Sequence, residues 1–309
     1  MRYIEYGAHE AQVSEVVLGL MRIWDKTPDQ VYELIDTALA HGINALDTAP
    51  VYGPSEGKIG EVFAAHPGLR DRVWLQTKLG IRPHPRLDCN YFDFSYEHIM
   101  ESVDASLAAL KTDRIDSLLL HRPDVLMDPR EVARAFNELY DQGKVVEFGV
   151  SNQNVAQESL LQNFLDFPLA ANQVQLSCAF TPAFDHAFNV NTRDEAGISR
   201  DGGIFEYALL HDQAIQAWSV MQKGYFTGPF LGAEEYADMN AVLARIGEEH
   251  GVTDMAVAIA WVLRHPAKMQ AIIGTTNPTR VAQSAAACDF ELTREEWYEI
   301  YLAGGRRLP

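Results

Sequence analysis

Asp47, Tyr52, Lys78 and His121 are a carboxylic acid, a phenol, an amine and an imidazole, and they cluster around the ends of short apolar runs. Asp47 is near the end of INALDTA (43–49), Lys78 near the end of VWLQTKLG (73–80), and His121 closes IDSLLLH (115–121). Tyr52 lies in the Pro/Gly/Ser-rich loop that follows Asp47. An ordinary tyrosine, with a pKa of about 10, is poorly matched to proton donation at neutral pH. A close ammonium stabilises the phenolate and lowers that pKa. Lys78 can supply the ammonium, and Asp47 can hold it charged and in place. A neutral His121 can donate a hydrogen bond to a substrate oxygen. The set suits protonation of a carbonyl oxygen while a bound redox cofactor delivers hydride to the carbon.

Taken singly, each residue has an ordinary structural role: a turn aspartate, a solvated lysine, a hydrogen-bonded edge histidine. Their coincidence carries the argument, because buried charges are costly unless paired. No Cys or Ser nucleophile with a paired base is evident, nor any His/Cys/carboxylate cluster with zinc spacing, so no metal is expected.

These residues converge only if the elements beneath them are parallel strands. Eight apolar runs recur: 13–20, 43–49, 73–80, 115–121, 145–152, 172–177, 214–220 and 269–275. Helical patterns separate them, with readable starts. Thr27, Pro28 and Gln30 form a capping box with Gly42 as stop, and Asp128, Pro129, Glu131 and Gly143 repeat the pattern. Ser95, Asn277–Pro278 and Thr293–Glu296 open three more, and two helical stretches lie near 235–250 and 254–264. Alternation of strand and helix predicts a single (β/α)8 TIM barrel domain over 1–309, with extra helices and a long irregular loop, 178–212, after the sixth strand. An open dinucleotide-binding sheet would want G-x-G-x-x-G after an early strand, which GLMRIW and GPSEGKIG do not provide.

In a barrel the C-terminal strand ends form the site. Ser151 and Asn152, Gln173 and Gln175, and Trp218 and Ser219 join the first four there. IIGTTNPTRVAQS (272–284) ends the last strand and opens a helix. Its N-terminus can bind phosphate, and Arg280 can clamp a 2′-phosphate; an ordinary capped helix with a surface arginine fits the same residues. Arg22 and Trp24 after the first strand, and Tyr91, Phe92 and Phe94 after the third, either line an aromatic mouth for hydrophobic aldehydes or ketones or merely pack the loops.

The 309 residues carry a net charge of −18, which argues against nucleic acid or an anionic membrane surface as partner. No run has signal-peptide or transmembrane length. Cys89, Cys178 and Cys288 form no C-x-x-C pair or disulfide framework, as in a reduced, cytoplasmic protein.

The chain resembles the aldo-keto reductases over essentially its whole length. LDTAPVYG, TKLG, LLLHRPD, GVSN, NQVQLS, AWSVMQKG and IIGTTNPTRVAQS occur in the family's order. The resemblance implies that Tyr52 is the general acid, tuned by Lys78 and Asp47, with His121 orienting the carbonyl of a small-molecule substrate. It implies a nicotinamide held by Ser151, Asn152 and Gln173 and stacked on Trp218. Met21, Arg22, Asp47, Ser219 and Met221 would line the cofactor path. Gly274, Thr275, Thr276, Asn277, Arg280 and Gln283 would bind the adenosine end. Trp24, Tyr52, Phe92 and His121 would face the substrate. Two departures matter: Gly274 stands where the family often has lysine, and Gln283-Ser284 where it often has Glu-Asn. The implied cofactor is NADP(H), resting mainly on Arg280 and Thr275, with NAD(H) left open. The alternatives are a redox-sensing regulatory subunit that binds the cofactor with little turnover, and, more remotely, a metal-dependent barrel lyase. The oligomeric state is not legible.

Overall fold

The chain opens with an antiparallel hairpin, β1 (Tyr3–Tyr6) and β2 (Ala11–Ser14), concealed in the sequence because its last residues run into the first barrel strand. The run at 13–20 therefore splits, and only Val16–Gly19 (β3) enters the barrel. In the computed structural model, which describes residues 1–200 and 202–309, the next strands are β4 (Ala45–Asp47) and β5 (Trp74–Leu79). A second hairpin, β6 (Ile81–Pro83) and β7 (Asn90–Phe92), follows β5 outside the barrel. The remaining barrel strands are β8 (Ile115–Leu120), β9 (Val145–Ser151), β10 (Ala171–Gln175), β11 (Ala214–Trp218) and β12 (Lys268–Ile273). All eight pair in parallel, and β12 closes on β3 through Ala271↔Val16.

The crossover helices are α1 (Pro28–Ala40), α2 (Ser55–Ala65), α3 (Tyr96–Leu110), α4 (Pro129–Asp141) and α5 (Val155–Gln162). In α1, Val31, Leu34, Ile35 and Ala38 are buried at helical spacing, and Thr27 and Gln30 close the expected capping box. In α4, Asp128 caps Arg130 N alone. Two helices, α6 (Pro182–Phe188) and α7 (Ile204–His211), lie within 178–212, so that stretch is largely ordered rather than one irregular loop; its Asp201 is outside the described residues. The last four are α8 (Ala237–His250), α9 (Asp254–Leu263), α10 (Pro278–Ala285) and α11 (Arg294–Ala303).

The barrel interior is not wholly apolar. Gln173, Gln216 and Gln270 are aligned across β10, β11 and β12, and Gln216 exchanges amide hydrogen bonds with Gln76 of β5 at 2.8 and 2.9 Å. Gln216 also donates to Gln270 at 2.9 Å, and Gln270 to the Ser14 carbonyl at 2.9 Å. Tyr6, fully buried, plugs the N-terminal end with its hydroxyl 2.9 Å from Ser117 Oγ. Such a network is tolerable because its donors find acceptors. Among the described residues no helix is long and apolar enough to cross a membrane.

Candidate active site

β4 and β5 are neighbours, and Asp47 and Lys78 end up on their inward faces. Lys78 is completely buried; its Nζ donates to Asp47 Oδ1 at 2.7 Å and to the Thr48 carbonyl at 2.9 Å. Asp47 Oδ2 accepts from Gln76 Nε2 at 2.7 Å and Gln173 Nε2 at 2.9 Å. The carboxylate therefore has three donors, which is what a buried ion pair needs to be tolerated. Burial pulls the Lys78 pKa down, but Asp47, through its charge and hydrogen bond, together with Tyr52 outweighs it and the net direction is up. The ammonium stays charged at neutral pH.

Tyr52 ends a single 3-10 turn, Pro50–Tyr52, that brings its ring back over the barrel mouth. Lys78 Nζ is 5.1 Å from the ring centroid, and the hydroxyl is 3.4 Å from His121 Nε2. Here the balance differs from the sequence expectation. Lys78 does pull the phenol pKa down, but burial raises it more, and the net direction is up. The hydroxyl thus holds its proton at neutral pH. His121, just past β8, is pushed well below 6.5 by burial, then by the charges of Lys78 and Arg122. It is a neutral imidazole, able to donate from one ring nitrogen.

The next strand ends surround Trp218. Ser151 Oγ donates to the Gln173 carbonyl at 2.9 Å and accepts from Asn152 Nδ2 at 2.7 Å. Asn152, at φ +57°, accepts from Trp218 Nε1 at 3.1 Å; asparagine tolerates this left-handed backbone. Ser219 has the same φ, and Met21 and Met221 are half-buried. Gln173 spends its amide N–H groups on Asp47 and Gln216, deep in the barrel. Gln175, two residues nearer the mouth and in register with Trp218, has a buried Nε2 with no partner among the described residues. An amide donor left over beside an aromatic ring fits a ligand carrying a carboxamide.

Around Gly274–Gln283, Asn277 Oδ1 caps the N–H groups of Thr279 and Arg280, and Asn277 N donates to Thr275 Oγ1 at 3.2 Å. Fewer backbone donors are therefore open than a bare helix start suggests. Thr276 and Gln283 are half-buried, and the exposed Arg280 has no ion pair among the described residues. This end is cationic and suits a phosphate.

Not all the aromatics line the mouth. Phe94 is buried, its ring packed on Gly80, where φ of +99° and the lack of a Cβ permit the contact. Phe92 and Trp24 are exposed, Trp24 by two-thirds (67%), and Arg22 is exposed beside it. A residue the strand-end reading missed is Arg122, whose guanidinium lies over Trp218. Its adjacency to His121 was the only available signal.

The family model for the aldo/keto reductase family matches residues 15–301. A 6-dehydroglucose reductase of Agrobacterium fabrum is 36% identical over 96% of both chains. A protein of the same name from Novosphingobium aromaticivorans is 34% identical over 96% of this chain and 94% of its own. In structure, an aldo/keto reductase from Klebsiella pneumoniae solved with NADP and acetate superposes with a TM-score of 0.73 at 23% identity, covering 97% and 94% of the two chains.

Proposed function

Because this chain belongs to the aldo/keto reductase family, we propose that it reduces an aldehyde or ketone reversibly to an alcohol, with NADPH as hydride source. The observation that carries the reading is the buried Lys78–Asp47 pair beneath Tyr52, whose hydroxyl is 3.4 Å from the neutral His121. When bound, NADPH supplies hydride to the carbonyl carbon. Trp218, Ser151, Asn152 and either the Gln173 Oε1 acceptor or the Gln175 Nε2 donor would hold its nicotinamide; Thr275, Asn277 and Arg280 would hold its phosphates and adenosine end.

The chain's own residues then manage one proton. His121 donates its Nε2 hydrogen to the carbonyl oxygen and fixes its position over Tyr52. As negative charge grows on that oxygen, Tyr52 gives it the hydroxyl proton. The phenolate left behind is stabilised by Lys78, which Asp47 keeps charged and in place. Asp47 itself, saturated by Lys78, Gln76 and Gln173, transfers nothing.

The names of the two relatives put oxidised sugars first in a substrate panel, beside aromatic aldehydes. Consumption of NADPH is measured across that panel for the wild type and Tyr52→Phe. Loss of a general acid is expected to lower kcat by about 10²–10⁴-fold. Undiminished kcat in Tyr52→Phe would overturn the mechanism. Tight NADPH binding with no turnover across the panel would favour the regulatory alternative.

A further inference from the structure

Arg122 follows His121 but takes no part in the proton transfer. Its guanidinium is half-buried, and no hydrogen bond or ion pair engages it among the described residues. Other partly covered arginines are committed: Arg70 to Asp116 at 2.8 Å, Arg82 to Asp93 at 2.6 Å. Arg122 instead packs on rings, its guanidinium carbon 5.4 Å from the Trp218 centroid and 5.7 Å from that of Tyr225. The two rings meet edge to face at 6.1 Å. Ring contacts place the guanidinium but leave its five N–H donors unsatisfied. The closest acid in sequence, Asp124, is spent on the N–H groups of Phe94 and Leu126, at 2.9 and 2.8 Å. In a chain of net charge −18, an arginine kept free of every carboxylate among the described residues is well suited to an anion from outside.

The position is close to the chemistry: Trp218, under the guanidinium, donates to Asn152 at 3.1 Å, and Asn152 donates to the His121 carbonyl at 3.4 Å. Lys223, two residues before Tyr225 in the chain, is already paired with Glu235, so one guanidinium fork faces the ligand. One fork matches the two oxygens of a carboxylate; a phosphate dianion would call for more donors.

We propose that Arg122 receives a carboxylate on the substrate, so that the site favours oxo-acids: aldehydes or ketones bearing a carboxylate that reaches the Trp218–Tyr225 side of the mouth. This rests on the carbonyl-reductase reading. Trp218 and Tyr225 position the guanidinium, and Tyr52 and His121 meet the carbonyl at the other end of the same molecule.

The test pairs para-formylbenzoate with its neutral methyl ester. Wild type is expected to prefer the acid by at least about tenfold in kcat/KM, chiefly through KM. In Arg122→Gln that ratio should fall to about one, and Arg122→Lys, a charge without the fork, should recover part of it. The ratio is the readout because Arg122 also acts on Tyr52 and His121, which affects both substrates. Equal kcat/KM for acid and ester in the wild type, or a ratio unchanged in Arg122→Gln, would overturn the proposal. Terephthalate binding, followed by tryptophan fluorescence, needs no turnover. If neither aldehyde is reduced yet terephthalate binds the wild type and not Arg122→Gln, the reductase reading fails and the carboxylate site stands. If terephthalate binds both proteins alike, the site itself is refuted.

Discussion

Replacing Glu158 by glutamine is expected to leave stability nearly unchanged at about pH 4 and to raise it at about pH 8. Glu158 lies on α5 and is fully buried. Its Oε1 accepts from Asn172 Nδ2 at 2.7 Å and its Oε2 from Gln213 Nε2 at 2.9 Å. No cation pairs with it among the described residues. Burial, opposed by those two hydrogen bonds, raises its pKa from 4.5 to about 7. Tyr207 of α7 faces it as a phenol whose own pKa burial and the Glu158 charge push up. The folded pKa is above the unfolded one, so the folded chain binds more protons between them. Stability from Glu158 is therefore fullest below the unfolded pKa and is lost as pH rises through about 7. Above that, the ionised carboxylate costs about 3 kcal/mol relative to the protonated form. Glutamine imitates the protonated carboxyl once the Gln213 amide turns over, so that its Oε1, buried and unpaired among the described residues, accepts from the new amide in exchange for the long 3.2 Å bond from Nε2 to the Leu169 carbonyl. For a chain this long, about 3 kcal/mol corresponds to about 5 °C in Tm. Thermal melts of both proteins at the two pH values measure the difference. An equal Tm gap at both, or a Glu158→Gln protein less stable at the higher pH, would refute the reasoning.

Two further substitutions probe the site. Lys78→Met removes the cation beneath Asp47 and leaves a buried carboxylate with only two amide donors; stability should fall by about 3–5 kcal/mol in denaturant unfolding, together with kcat. An unchanged unfolding midpoint would show that the pair is not held out of water. Arg280→Gln should raise KM for NADPH at least about tenfold and KM for NADH far less, since only the former carries a 2′-phosphate. Equal effects on both would move 2′-phosphate recognition to another residue.

The strands were legible because parallel barrel strands are buried on both faces and read as continuous apolar runs. LLLH and VVEFGVS are such runs, and each lies within a residue or so of its strand. The convergence of Asp47, Lys78 and His121 followed from the rule that strand ends share one face. What stayed hidden had weaker local marks. α7 follows Gly203 and α6 follows Thr181, neither of which supplies a side-chain cap, so 178–212 read as loop. The interior glutamines were visible as residues but not as partners, because Gln76 and Gln216 meet across 140 positions. For that reason Gln173 looked like a cofactor ligand alone, although its amide also braces Asp47. The direction of the Tyr52 pKa was hidden for a related reason. Sequence supplies the charge of Lys78, but the opposing desolvation depends on how deeply the turn at Pro50–Tyr52 seats the ring. Arg122 carries the point furthest: its type and its place beside His121 are in the sequence, but its lack of a carboxylate partner is a property of the whole fold. An ion pair can be guessed from two residues, whereas an unpaired cation can be recognised only when every acid around it has been placed.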